Sequence, residues 1–221
     1  MVGDKPTNVP FPYQEDLDRI YKHVREARRQ ADIVVVALHD QSHGLGIHPY
    51  IDTFAHGVID AGADVYYCNA GEHRGVEIYK GKALIYGQPS LFLQTEAVTH
   101  VPSSFMARVG ADVDGLAADF LDARAKAAAG ARELGPGASA MQSSGGTAVH
   151  VCVFDNQFAL KEIRIQPLEP SDGPRFRKGL PLMPEPGSPV AERILKYSVE
   201  VSKTFGTPVE VRDDMGIISL K

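Results

Sequence analysis

The run Ile33-Val34-Val35-Val36-Ala37-Leu38 constrains this chain more than any other feature. Six consecutive apolar residues, four of them β-branched, predict a strand buried on both faces, as in a parallel sheet. Ahead of it, Leu17, Ile20, Tyr21, Val24, Ala27 and Ala31 recur at i, i+3, i+4 spacing with charged residues between them, which predicts an amphipathic helix. Behind it, Pro49 can open a second helix carrying Ile51, Phe54, Ala55, Val58 and Ile59, which stops at Gly62. Val65-Tyr66-Tyr67-Cys68 then reads as a second strand. The resulting helix–strand–loop–helix–strand rhythm is that of an α/β protein.

Further along, Gly75–Tyr79 and Ala83–Tyr86 flank a glycine-bearing turn and predict a hairpin. A second hairpin is expected from Val149–Phe154 and Phe158–Ile165, and a third strand pair from Val209–Arg212 and Gly216–Leu220. Helices are expected over 114–134 and from Pro189 to Phe205. The Pro- and Gly-dense stretch 167–188 reads as a surface connection. The expected division is a core over 1–168 and a C-terminal extension over 169–221.

Composition narrows the functional classes. Lys and Arg number 23 against 28 Asp and Glu, a net charge of −5, and no basic stripe with interleaved aromatics stands out, so a nucleic-acid partner is not expected. No apolar run approaches the ~18 residues a membrane helix needs, and the N-terminus has no signal-type apolar core. The two cysteines, Cys68 and Cys152, are far apart and form no metal-type pair. The expectation is a cytoplasmic protein with no membrane partner and none of the usual organic cofactors.

The strings ADIVVVALH, then Pro49 through FAHGVIDAGADV, then RGVEIYKGKALIY closely resemble the capsule-synthesis CapA family. These are poly-γ-glutamate proteins related to the calcineurin-like metallophosphatases. EIRIQPL and AERILKYSVEVSKTFGTPVEVRDDMG extend the likeness more loosely toward the C-terminus. The resemblance implies a portion of a metallophosphatase-like four-layer α-β-β-α sandwich and hydrolase ancestry. It also implies a metal that polarises an ester or amide and activates water. Two departures stand beside it. The family's leading strands, with their Gly-Asp metal motif, have no counterpart here. The family's Gly-His-x-x-His motif is replaced by Tyr67-Cys68-Asn69-Ala70-Gly71.

The densest polar cluster is the loop from His39 to His48, placed at a strand C-terminal end, where open α/β sheets bind ligands. His39, matching the family's histidine at this strand end, and His43 and His48 are the candidate ligands for one divalent ion, zinc, manganese or iron. His39 and His43, with Glu72 and His73, are also the candidate acid–base groups. Arg74 is a candidate clamp for a substrate carboxylate or phosphate. Cys68 is a candidate substrate contact and, paired with a histidine, a conceivable nucleophile. For each a structural role competes: solvated loop histidines, a buried cysteine, a surface ion pair at Arg74. His56 reads as a packing histidine, Asp60 and Asp64 as turn residues, and Glu77, Tyr79 and Lys82 as the solvated face of the hairpin. Two functions remain open at this point. One is a divergent subunit acting with a companion chain on an anionic amide or ester. The other is a noncatalytic interaction or regulatory subunit. Either way the chain is expected to be a homo- or hetero-oligomer, because a sandwich without its leading strands exposes sheet edge and apolar surface.

Overall fold

The computed structural model describes residues 10–40, 47–69, 73–88, 90–91, 98–133, 147–171 and 179–220, with the backbone alone at 128–133. Helix α1 (Gln14–Arg28) leads into strand β1 (Val35–His39), helix α2 (Pro49–Asp60) and strand β2 (Val65–Asn69). The hairpin β3 (Val76–Tyr79) and β4 (Lys82–Ile85) follows, then helices α3 (Ser103–Arg108) and α4 (Ala117–Glu133). Strands β5 (Thr147–Phe154), β6 (Leu160–Pro170) and β7 (Pro181–Leu182), helix α5 (Pro189–Lys203), and strands β8 (Glu210–Arg212) and β9 (Met215–Ser219) complete the order.

Two sheets result. The first runs β1-β2-β4-β3, with β1, β2 and β4 parallel and β3 antiparallel to β4. The second runs β5-β6-β9-β8, antiparallel throughout, with β7 beside the end of β6. The segment expected as a C-terminal extension therefore supplies β9 to the second sheet, between β6 and β8.

The period-2 alternation of strand side chains explains the layering. On the first sheet, Val36, Leu38, Tyr66, Cys68, Leu84 and Tyr86 turn toward α1 and α2, meeting Leu17, Val24, Phe54 and Val58. Their neighbours Val65, Tyr67, Ala83 and Ile85 turn the other way, onto Ala148, Ile163, Ile165 and Ile218 of the second sheet. Helix α5 joins this inter-sheet core through Ile194, and Ser202 near its C-terminal end accepts the Val76 backbone N–H at 3.1 Å. The fold is thus mixed α/β with helices, sheet and sheet in succession. The outer face of the second sheet is open to solvent at Val151 and Arg164.

Local chemistry places the elements as the sequence predicts. Pro49 and Pro189 occupy the first turns of α2 and α5, and the Ser188 hydroxyl caps α5 by accepting from the Val190 and Ala191 N–H groups. Both tight hairpins have two consecutive left-handed residues, Lys80-Gly81 and Asp213-Asp214, the signature of a type I′ turn. Gly57 lets α1 and α2 approach, since a Cβ there would lie 2.1 Å from the Tyr21 hydroxyl oxygen.

One expectation fails. The apolar run at 33–38 is not buried on both faces: β1 is the sheet's edge, with β2 its only strand partner among the described residues, and Val35 is 59% exposed. A continuous apolar run reports that a strand is meant to be covered, but the covering has to come from neighbours. Here, no strand flanks the outer edge among the described residues.

Asp64 is a fastening point rather than a turn residue. Its buried carboxylate receives the Val34 N–H at 2.8 Å, the Arg28 guanidinium at 2.5 Å and the Lys82 ammonium at 2.5 Å, tying α1, the approach to β1 and β4 together. Burial alone would raise its pKa, but the Lys82 and Val34 hydrogen bonds and the two cations outweigh that and hold it below the usual carboxylate range. A lowered folded-state pKa means stability that is present above about pH 4, the unfolded value, and lost as pH falls through the folded value. Asp64→Asn is expected to cost about 2 kcal/mol at pH 7. In urea unfolding, the gap between the two proteins should narrow as pH drops below about 4.

Candidate functional site

The C-terminal ends of the parallel strands β1 and β2 carry a connected set of polar side chains. His39, the last residue of β1, is exposed, and its Nδ1 lies 3.0 Å from Asn69 Oδ1 at the end of β2. Their backbones are register partners, so the pairing follows directly from the parallel ladder. Asp40, one residue on, is buried and accepts from the Tyr50 hydroxyl at 2.7 Å and from the Arg74 guanidinium at 3.2 Å. Arg74 reaches this point because its backbone N–H bonds the Tyr86 carbonyl at 2.7 Å, just past β4.

This geometry redefines the expected site residues. Arg74 is neither a surface ion pair nor an open clamp: its side chain is 2% exposed and Asp40's 4%, so the guanidinium's charge is matched inside the protein. Cys68 is 1% exposed, and burial pushes its thiol pKa up, which works against a nucleophilic thiolate. His73, a candidate acid–base group with Glu72, is fully buried, and desolvation lowers its pKa to about 4, so it is neutral near pH 7. His48 caps α2 through its backbone, with its ring stacked on Tyr50 at 5.7 Å. His43 and Glu72 lie outside the described residues.

Among the described residues at the strand ends, no three potential ligand atoms converge as a site for the divalent ion that the resemblance implies. The buried carboxylate there is already matched by a guanidinium, and the thiol is held protonated. The described residues whose potential ligand atoms do converge, within 4.8 Å of one another, are Asp52, His56 and Glu77. His56 Nε2 lies 2.9 Å from Glu77 and Nδ1 3.4 Å from Asp52, while the Tyr86 hydroxyl donates to the other Glu77 oxygen at 2.9 Å. Its ring also rests on Tyr79, centroids 4.3 Å apart. His56 thus has the packing role expected of it, and Glu77 belongs to this α2–β3 clasp rather than to a solvated face. The spacing His56–Asp52, one helical turn apart, was visible in the sequence; the approach of Glu77 from the hairpin was not.

A histidine pair lies deeper. His73 and His150, the latter on β5, have ring centroids 5.0 Å apart. His150 also lines a groove between the sheets, about 390 Å³ in volume, walled by Val35, Tyr67, Leu91, Cys152 and Phe154, with Gln88 at its edge. His150 carried no sequence signal, because an isolated histidine in a strand is ordinary until its partner is known. No helix among the described residues is long and apolar enough to cross a membrane.

Residues 3–88 match the family described as bacterial capsule synthesis protein PGA_cap. Probable polyglutamine synthesis accessory proteins from two strains of Mycobacterium tuberculosis are 38% identical to this chain over 79 residues, which cover 34% of this chain and 21% of theirs. Two uncharacterized proteins of Sinorhizobium fredii, y4sH and y4uA, are 30% identical over 222 residues, 93% of this chain and 45% of theirs. The chain therefore spans less than half the length of each of these relatives. Over residues 3–88, with both strand ends of the polar cluster inside them, the chain is similar to the bacterial capsule synthesis (PGA_cap) family.

Proposed function

We propose that this chain is a partner-dependent accessory module of capsule-polymer synthesis, of hydrolase ancestry. It acts with a companion polypeptide on an anionic, amide-linked polymer of the polyglutamate kind. The observation that carries this reading is the outer edge of β1, along which no strand pairs among the described residues. Val35 is 59% exposed on a strand whose composition calls for burial, beside an apolar groove that opens between the sheets. An unpaired apolar edge is a template for strand addition. A strand added there would bring new side chains to the same end of the sheet that presents His39, Asn69 and Asp40. The Mycobacterium relatives are named as accessory proteins, which supports a partner role. The chain's own polar groups fit half of a site: His39 is exposed and oriented by Asn69, while Arg74, Cys68 and His73 are withdrawn into the interior.

The test is light scattering and turnover on the full chain. Alone, it is expected to self-associate and to leave glutamate oligomers uncleaved. Val35→Lys, which places a charge on the open edge, should shift it toward monomer by at least tenfold in dissociation constant. A monomeric wild-type chain that cleaves such oligomers unaided, and loses that activity in His39→Ala, would overturn the reading. The noncatalytic alternative is favoured by the withdrawal of Arg74, Cys68 and His73. It predicts that His39→Ala leaves the activity of a reconstituted complex unchanged.

A further inference from the structure

Between the two sheets, the ring pair His73 and His150, tilted 42° to each other, is arranged in a way that packing alone does not require. The Nδ1 of His73 lies 3.3 Å from the Gly87 carbonyl oxygen, and the Nδ1 of His150 lies 2.9 Å from Gln88 Oε1. Both oxygens only accept, so each Nδ1 carries the proton. The Gln88 amide is itself oriented, because its Nε2 donates to the Ala148 carbonyl. It follows that both Nε2 atoms present lone pairs. Both are buried, and neither has a hydrogen-bond partner among the described residues. Leaving such buried acceptors unsatisfied is unfavourable. Desolvation holds both rings neutral near pH 7, with His150 lowered well below its ordinary value.

A neutral imidazole with Nδ1–H fixed on a carbonyl oxygen and Nε2 offered as a lone pair is the arrangement of a metal-binding histidine. The spacing agrees. A zinc–nitrogen bond of about 2.0–2.1 Å puts each ring centroid about 3.2 Å from the ion, and a tetrahedral angle then separates two centroids by about 5.2 Å. The observed separation is 5.0 Å. We propose that His73 Nε2 and His150 Nε2 form a two-histidine site for a borderline transition-metal ion of the zinc class. Its remaining positions are filled by water or by a group entering from the inter-sheet groove that His150 lines. The Asp52–His56–Glu77 clasp is the rival site, but each nitrogen of His56 already faces a carboxylate and Glu77 also holds the Tyr86 hydroxyl. Its groups satisfy one another without an ion.

The full chain, stripped with chelator and labelled with ¹⁵N-histidine, should be titrated with Zn²⁺ while the Nε2 resonances and the binding heat are followed. One equivalent is expected, shifting two buried Nε2 signals and leaving the exposed histidines unmoved. Gln88→Ala, which frees the orientation of His150, should weaken affinity about 10–100-fold. His150→Gln should weaken it at least as much, and Asp52→Asn should leave it unchanged. The wild-type resonances decide the matter even if a variant folds poorly. Buried Nε2 signals that stay put in millimolar Zn²⁺, as they would with bridging water alone, would overturn the proposal. So would binding that Asp52→Asn abolishes and His150→Gln preserves.

Discussion

Arg74→Ala is expected to lower the unfolding free energy by about 3–5 kcal/mol, because it strands the Asp40 carboxylate in the interior. Asp40 and Arg74 are 4% and 2% exposed, so water cannot take the guanidinium's place without opening the end of the first sheet. The Tyr50 hydroxyl remains as one donor to Asp40, which sets the loss below the cost of a wholly isolated ion. Urea unfolding of the two proteins measures it. The double variant Arg74→Met with Asp40→Leu should recover a large part of the loss, since apolar groups of similar size remove the stranded charge along with its partner. An Arg74 that served as an exposed substrate clamp would give the opposite pattern: unchanged stability, and a loss visible only when substrate is present.

Gly75→Ala is the second large effect. Gly75 has φ +107°, and a Cβ there would lie 2.7 Å from the Val201 carbonyl oxygen and 2.9 Å from the Phe205 ring. The first obstacle is backbone strain, on the order of 1–3 kcal/mol. The second is helix backbone, which cannot swing aside as a side-chain tip can, so α5 has to part from β3. A total above about 3 kcal/mol is expected in thermal or urea unfolding. Gly81→Ala is the control: φ is +74° but nothing lies within 4 Å, so only the conformational cost of about 1 kcal/mol applies. Equal losses at the two glycines would show that the Val201 contact does not hold α5 in place.

The parts of this fold that are legible in the sequence are those decided within a few residues. Pro49 and Gly62 bracket α2, and Lys80-Gly81 and Asp213-Asp214 set two hairpins, because turn and cap chemistry is local. The family resemblance was equally readable, carried by the strings around β1, α2 and the first hairpin. What was not readable depends on neighbours distant in the chain. The apolar character of 33–38 was plain, but whether anything covers Val35 is a property of the sheet's edge. Arg74 and Asp40 were both in view as polar residues near strand ends, and opposite charges on one rim were the available clue to their pairing. Glu77 alternates along its hairpin like a solvated residue, and only the docking of α2 turns it toward His56. His150 lacked any pattern, since the residue that gives it meaning arrives from the far side of a different sheet.

The hydrogen bond between Val76 and Ser202 joins residues 126 positions apart, and its helix closes over strands laid down far earlier in the chain. Three parallel neighbours and a late-docking helix give contacts of high sequence separation, the topology that folds slowly. During that interval, the β1 edge, which no described strand covers, is open to pairing with other molecules. For this chain, then, speed of assembly and freedom from aggregation are in competition, and a binding partner present during synthesis would serve as a folding aid before it served any chemistry.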